Sequence, residues 1–245
     1  MTKVIGIDAG GTLIKTAHKI EGDYHFQTFL TSKLEDLAIW IKEFHPEAIL
    51  MVTGGKQKAV AKLVDNSVEM INEFQAMANG IRTILKNNSI QLPEGFLIVN
   101  VGTGTSIHSM NDTSSDRLGG SGIGGGTLMG LAYLLTGHHD FEKIVELAEK
   151  GVRDGIDLKV KNIYDGEESP IDGNLTASNF GFLDQLKRRE LREEDILACL
   201  VGMIAEALLM VAIPFARSIQ SQTIVFIGST FQSNPVFEQL VQQFD

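Results

Sequence analysis

The chain predicts an α/β protein of two domains, on three observations. Short apolar runs of strand length alternate with longer segments whose apolar residues recur at helical spacing. A strand, a glycine turn and a second strand recur, over residues 4–19 and 96–110. Pro93-Glu94-Gly95 breaks the chain between the two, which places the domains at residues 1–94 and 95–245. A length of 245 residues suits two domains of ordinary size. A hydrophobic share of 43% is enough for a core in each, which excludes a disordered chain.

Val4, Ile5 and Ile7 form the first strand, and Asp8 stands at its end. Gly10 and Gly11 then permit a tight turn with no Cβ in the way. Strands follow over 16–19 and 24–30. Ser32 is the expected N-cap of a helix over 33–44, with Leu34, Leu37, Ile41 and Phe44 on one face. Residues 48–52 read as a buried strand ending in Thr53-Gly54-Gly55. Residues 56–63 read as helical, and 66–86 as a longer helix carrying Val68, Ile71, Met77, Ile81 and Leu85.

The second domain opens with a strand over 96–101, the glycine turn Gly102-Thr103-Gly104-Thr105-Ser106 and a strand over 107–110. Arg117 precedes a glycine-dense stretch, 119–126, that leads into an apolar helix closing at Gly137. Helices are expected over 141–150 and over 157–164, the latter ending at Asp165-Gly166. Residues 170–173 are a loop, 175–181 a small polar stretch, and 187–194 a charged, solvated run. A long helix reaches 219, a strand over 223–227 ends in Gly228-Ser229-Thr230, and a last helix spans 235–243.

Composition removes several function classes. A net charge of −10 and a pI near 5.1 disfavour non-specific nucleic-acid binding. The one cysteine, Cys199, lies in an apolar run and reads as a small buried hydrophobe, with no disulfide framework or C-x-x-C zinc pattern. Residues 196–216 are long enough to span a bilayer, but Glu206 sits near the middle and Pro214 near the end. A core helix is therefore expected rather than a membrane span. The N-terminus begins with a strand instead of a basic, apolar leader, so a cytoplasmic location is expected.

The glycine turns carry the chemistry. Exposed backbone N–H groups bind phosphate oxygens. A carboxylate at the turn's entrance, Asp8, suits Mg²⁺, which takes oxygen ligands and keeps several waters. Thr12 adds a hydroxyl and Lys15 a cation. A glycine loop that opens a helix is an anion site, because free N–H groups and the helix dipole face the ligand. Paired glycines after a strand also make ordinary hairpins. The pattern is neither a P-loop nor a dinucleotide fingerprint. D-x-G-G-T resembles the first phosphate loop of the actin, sugar-kinase and Hsp70 superfamily, which implies a two-domain actin-like ATPase (ribonuclease H-like) fold.

D-A-G-G-T-L-I-K, N-V-G-T-G-T-S, R-L-G-G-S-G-I-G-G-G, D-L-K-V-K-N-I-Y and F-I-G-S-T-F-Q-S-N, in this order and spacing, resemble a type II pantothenate kinase of the staphylococcal and bacillar branch. The resemblance covers essentially the whole chain. It implies phosphorylation of pantothenate by MgATP as the first step towards coenzyme A, and a homodimer. It implies a phosphate loop of Asp8, Ala9, Gly10, Gly11, Thr12, Leu13, Ile14 and Lys15, with Asp8 holding Mg²⁺. It makes Glu73, in Glu73-Phe74-Gln75-Ala76, the general base. Read from the residues alone, Glu73 is a solvated helix glutamate, with Glu69 one turn earlier as its rival.

The resemblance further implies that Thr103, Ser106 and Arg117 meet the substrate, and that Arg117 also meets the transferred phosphate. ATP would be held by Thr103, by the helix start Gly125, Gly126, Thr127, Leu128 and Met129, and by Ser229. Phe141 stands near the nucleotide where the family often has tyrosine, so stacking survives and a phenol hydrogen bond does not. The family continues past the last helix into a further strand and a glycine-rich helix. The homodimer would place 175–181 near the partner's substrate pocket. A sugar kinase, a nucleotide or acyl-CoA sensor, and an actin-like structural protein are the competing readings. Against the first, the chain shows no Cys/His cluster.

Overall fold

The structure, a computed structural model, describes residues 3–111, 114–164, 167–186, 190–231 and 234–242. The expected helix end at Asp165-Gly166, residues 187–189 of the charged run, Gln232-Ser233 of the C-terminal motif and Gln243 of the last helix lie outside the described residues. The chain divides into two compact units. One runs up to Leu92 and includes Ser114 and Ser115, and the other runs from Pro93 to Asn111 and from Asp116 onward.

The first unit is a five-stranded sheet with helices. Its strands are β1 (Val4–Ala9), β2 (Leu13–Ile20), β3 (Asp23–Leu30), β4 (Ile49–Thr53) and β5 (Val68–Met70), in the order β3-β2-β1-β4-β5. The first three form an antiparallel meander, while β1, β4 and β5 run parallel. Helices α1 (Leu34–Phe44) and α2 (Gln57–Ala61) return the chain between the parallel strands, as parallel pairing requires. Ile5, Ile7, Ala9 and Ile14 share a core with Leu37, Ile41, Leu50, Val52 and Val60.

Two expectations are corrected in this unit. Ser32 is not an N-cap: residues Thr31–Lys33 form a 3₁₀ turn, and α1 begins at Leu34 with no side-chain cap. The helix expected over 66–86 is a strand and a shorter helix. Ser67 O accepts from Leu50 N, and Ile71 N donates to Val52 O, so 68–70 pair with β4. Asn66 is spent earlier, its side-chain amide donating to the carbonyls of His45, Pro46 and Ala48. Helix α3 (Glu73–Asn87) starts only after Asn72, whose side chain accepts from the amides of Phe74 and Gln75.

Three histidines meet beside this core. His18 on β2 is paired across the ladder with His25 on β3. His45, just past α1, lies 4.9 Å from the His18 ring and 4.4 Å from Trp40. His18 and His45 are buried. Burial, then the neighbouring Lys3 and His18, pushes His45 down from 6.5 to about 4. Burial, then Lys3 and His25, lowers His18. Well above pH 6.5, His18 and His45 are neutral in both folded and unfolded chains, and their burial exerts no penalty. As pH falls from 6.5 towards 4, the unfolded chain takes up protons that the folded chain refuses, so stability is lost across that window. Urea midpoints measured from pH 7 to 4 should therefore fall more steeply for the wild type than for His45→Gln. Equal slopes would refute this.

The second unit has a four-stranded sheet, a two-stranded hairpin and helices. The sheet contains β6 (Phe96–Val101), β7 (Thr105–Met110) and β8 (Ser115–Ser121). Then come α4 (Gly125–Thr136), α5 (Phe141–Glu149), β9 (Leu158–Lys159), α6 (Val160–Ile163), β10 (Thr176–Ser178), α7 (Leu183–Leu186), α8 (Glu193–Ser218), β11 (Ile224–Ile227) and α9 (Pro235–Gln242). The large sheet has the order β11-β6-β7-β8, with β11 parallel to β6, and β9 pairs with β10. Helix α8 is long and apolar enough to cross a membrane by length and composition. Its Leu197, Val201, Ile204 and Leu208 are buried in a core with Leu97, Val99, Leu128 and Ile144.

Two further expectations change here. The helix expected over 157–164 is a short strand followed by the single turn α6, because Leu158 and Lys159 pair with β10. Arg117 to Gly120 belong to strand β8 rather than to a loop.

Candidate active site

In the first unit, the candidate residues collect at one sheet edge. Asp8 lies next to the C-terminal end of β1, Thr53 ends β4, and Glu73 opens α3 just past β5. These strands are neighbours and parallel, so all three positions lie at the carboxyl edge, where α/β sheets bind ligands. The turn after β1 is closed by Gly10 N donating to Leu13 O at 3.1 Å. A Cβ at Gly10 would meet that same oxygen at 2.8 Å, so glycine is required there. Gly11, Thr12 and Lys15 are exposed, and Asp8 and Gly10 are half-buried. Ala9 and Ile14 instead point into the core, so only their backbone can serve a ligand. Leu13 is half-buried.

Lys15 is the ladder partner of Asp8, and its ammonium lies 3.9 Å from the carboxylate. Burial pushes the Asp8 carboxyl up, and the Lys15 charge partly offsets this. Among the described residues, no group of three or more His, Cys, Asp or Glu could cage a metal ion. The donor set instead suits a cation held through its own waters. The Asp8 carboxylate is a strong acceptor, and two other buried oxygens of this unit, Thr53 Oγ1 and Gln57 Oε1, have no hydrogen-bond partner. Water on Mg²⁺ is a strong donor, so acceptors rather than cations are the fitting shell.

Glu73 occupies the first position of α3 and is exposed. A carboxylate there is favoured by the helix dipole. Glu69 lies on β5, not one helical turn before Glu73, so the two cannot substitute for one another on a common face.

In the second unit, the turn between β6 and β7 is the organising feature. Gly102 N donates to Gly104 O at 2.9 Å. Thr103 stands exposed at its tip, and Ser106 is half-buried on β7 opposite Asn100. Arg117 on β8 is exposed, and its guanidinium lies over Gly120, where a Cβ would meet Nη2 at 2.7 Å. Gly120 in turn lies against the Thr105 carbonyl. Ser229 follows Gly228 at the end of β11, the parallel neighbour of β6, so it reaches the same edge. Thr103, Ser106, Arg117 and Ser229 are thus brought to one region.

The start of α4 differs from its expected role. The amides of Gly125 and Gly126 are not free for an anion: they donate at 2.8 Å to the carbonyls of Gly102 and Thr103. The glycines serve close packing instead. A Cβ on Gly126 would meet Thr103 Cγ2 at 2.9 Å, one on Gly124 would meet Gly104 Cα at 2.9 Å, and one on Gly125 would overlap Thr230 Oγ1. Helix start and turn are therefore one fused, side-chain-free surface. Thr127 Oγ1 donates to Gly122 O at 2.9 Å, fixing the loop before the helix. The Leu128 side chain is buried in the core, and Met129 and Phe141 are half-buried against it. The Phe141 ring is therefore partly engaged by the core.

Sequence reasoning missed two sets of residues. Thr230 donates its amide to Val101 O at 3.2 Å and its hydroxyl to Gly102 O at 3.0 Å, pinning the second turn. Its position directly after Gly228-Ser229 was the available signal. The other set is a buried polar network. Arg153 pairs with Asp157 at 2.7 Å and with Glu206 at 2.7 Å. Glu206 also accepts from Thr176 at 2.9 Å and Asn179 at 3.1 Å. Lys159 donates to Thr176 at 2.9 Å, and its ammonium pKa is lowered by burial and by the Arg153 charge. The carboxylate that argued against a membrane helix thus holds the 176–179 segment onto α8. The signal was a glutamate in the middle of an apolar helix.

Comparison with known proteins places this geometry. A family model described as Fumble matches residues 88–244. A type II pantothenate kinase of Staphylococcus epidermidis is 37% identical over 240 residues, covering 98% of this chain and 90% of that protein. A type II pantothenate kinase of Staphylococcus aureus is 36% identical, covering 98% and 89%. Among solved structures, (R)-2-hydroxyglutaryl-CoA dehydratase component A of Acidaminococcus fermentans matches with a TM-score of 0.66 at 14% identity, covering 100% of this chain and 89% of that one. An archaeal actin homologue matches with a TM-score of 0.51 at 13% identity, covering 98% and 91%. The latter two speak to fold alone, which is the two-domain actin-like ATPase fold. Identity above one third along nearly the full length of both chains settles the relationship: the protein belongs to the type II pantothenate kinase family.

Proposed function

We propose that the protein transfers the γ-phosphoryl group of ATP to the primary hydroxyl of pantothenate, the entry step to coenzyme A. The observation that carries this reading is the position of Glu73. It is an exposed carboxylate on a capped helix start, at the same strand edge as Asp8 and Lys15, in a chain related to pantothenate kinases over 98% of its residues. Phosphoryl transfer needs positioning and charge stabilisation more than covalent help. Glu73 accepts the hydroxyl proton as the alcohol oxygen attacks the γ-phosphorus and ADP leaves with the bridging oxygen.

Lys15 and the Gly10-Gly11 turn would meet phosphate oxygens, and Asp8 would hold Mg²⁺. The ion, when bound, neutralises phosphate charge. In the second unit, Thr103 and the glycine surface at 124–126 accept ATP, with Ser229 beside them. Thr103, Ser106 and Arg117 meet the slender, anionic acceptor, and the Arg117 guanidinium also stabilises charge on the transferred group. The net charge of −10 fits a small-molecule enzyme with no nucleic-acid partner. We further propose a homodimer in the cytoplasm, away from membranes, with the small, polar 175–181 segment near the partner's substrate pocket.

The test is transfer of labelled phosphate from ATP to pantothenate, a pantothenamide, glucose and N-acetylglucosamine under equal conditions. Pantothenate or the pantothenamide is expected to turn over fastest. Faster transfer to either sugar would refute the reading. Sedimentation of the same preparation reads the dimer.

A further inference from the structure

The Thr53-Gly54-Gly55 turn was not among the residues expected to form the site, yet it sits between the two acidic groups of the first unit. Strand β4 lies between β1 and β5. Thr53 is therefore flanked by Asp8 on one side and by the β5 end that leads to Glu73 on the other. Asp8 and Thr53 are direct partners in the parallel ladder. Partner residues on neighbouring strands, about 4.8 Å apart, project from the same face of a sheet. The Thr53 side chain therefore shares the Asp8 face.

The Asp8 carboxylate leans towards this turn. A Cβ on Gly54 would lie 2.9 Å from Asp8 Oδ1 and 2.5 Å from Ala9 O, and Gly54 holds a left-handed φ of 89°. Only glycine lets the carboxylate rest there. The neighbouring hydroxyl is the anomaly. Thr53 is 9% exposed, and its Oγ1 is buried without a hydrogen-bond partner. A buried hydroxyl left unsatisfied is unfavourable, and native structures retain few of them. Valine would fill the same volume without that cost.

We propose that Thr53 is a positioning residue for Asp8: its hydroxyl donates to the Asp8 carboxylate when that carboxylate turns to hold the hydrated cation. The hydrogen bond is made in the loaded state and not in the free one. It fixes which carboxylate oxygen faces the metal's water and which faces the protein. This rests on the reading of Asp8 as the cation holder.

Two variants test it. Thr53→Val keeps shape and removes the donor, and Thr53→Ser keeps the donor. Three quantities are read: the thermal midpoint of the free protein, the shift in that midpoint on adding MgATP, and the Mg²⁺ concentration for half-maximal turnover. Thr53→Val should match or exceed the wild-type midpoint when free, yet show a smaller MgATP shift. Its Mg²⁺ requirement should rise about tenfold to a hundredfold, the usual weight of a hydrogen bond to a charged group. Thr53→Ser should restore both. A wild-type Mg²⁺ requirement in Thr53→Val would overturn the proposal. So would a lowered free midpoint in Thr53→Val without a change in Mg²⁺ requirement, which marks a structural role. Asp8→Asn separates the underlying reading: if it too leaves the Mg²⁺ requirement unchanged, Asp8 does not hold the cation, and both fall together.

Discussion

Glu73→Gln is expected to lower turnover by about 10²–10⁴ while leaving the affinity for ATP nearly unchanged, the usual effect of losing a general base. The substitution is well controlled by local structure. The start of α3 is capped by Asn72, whose side chain accepts from the amides of Phe74 and Gln75, and neither bond involves the Glu73 side chain. Glutamine fits the same exposed position. The helix loses only a favourable carboxylate–dipole interaction, about 0.3–1 kcal/mol at an exposed site. A dead but folded enzyme with intact ATP binding is therefore the expected result, read by single-turnover kinetics and calorimetric ATP titration. Glu69→Gln is the matched control. It changes an exposed carboxylate on β5, the strand directly before α3, and should retain activity. The reverse pattern would transfer the role to Glu69.

Arg153→Leu is expected to destabilise the second unit by about 3–5 kcal/mol, the range for stranding a buried charge. Arg153 donates to Asp157, which is fully buried, and to Glu206, which lies in the middle of α8. It also donates to Thr176 at 3.2 Å and Asn179 at 3.3 Å. Removing the guanidinium leaves two carboxylates with only neutral partners and the part-buried Lys159. Gly202 on α8 is shaped for this arrangement, since a Cβ there would overlap the guanidinium. The double variant Arg153→Leu with Glu206→Leu should recover part of the loss, because apolar replacement of a whole ion pair is tolerated better than half of one. Urea unfolding of the three proteins decides it. A loss under about 1 kcal/mol for Arg153→Leu would place the network with solvated surface pairs. Because Thr176 and Asn179 are tethered by the same groups, the variant should also loosen the 176–179 segment, visible as faster amide exchange there.

Much of this protein was legible in its residues. Both strand-plus-glycine units, the helices that follow them, and the core role of α8 follow from local pattern: alternating apolar positions, glycines at the turns, and a carboxylate too costly for lipid. Those features depend on residues near each other in the chain, and near neighbours are what periodicity reads. The ordered motifs also led to the family.

What was missed depends on partners far apart in sequence. Val68 and Ile71 fit a helix as well as a strand. The choice was made by β4, whose edge at Leu50 to Val52 pairs with 68–70 and draws them into the sheet, so that α3 waits for the cap at Asn72. The same holds for 158–159, captured by β10. The glycines at 124–126 looked like an anion site because their local sequence exposes amides. Only the folded turn at 102–104 shows that two of those amides are already used. Glu206 stood out as a carboxylate inside an apolar helix, but its partner Arg153 lies 53 positions away, and no local pattern announces it. Helix and turn propensities are fixed within a few residues, whereas ladder partners, buried ion pairs and the occupancy of backbone donors are settled by which distant segments the tertiary fold brings into contact.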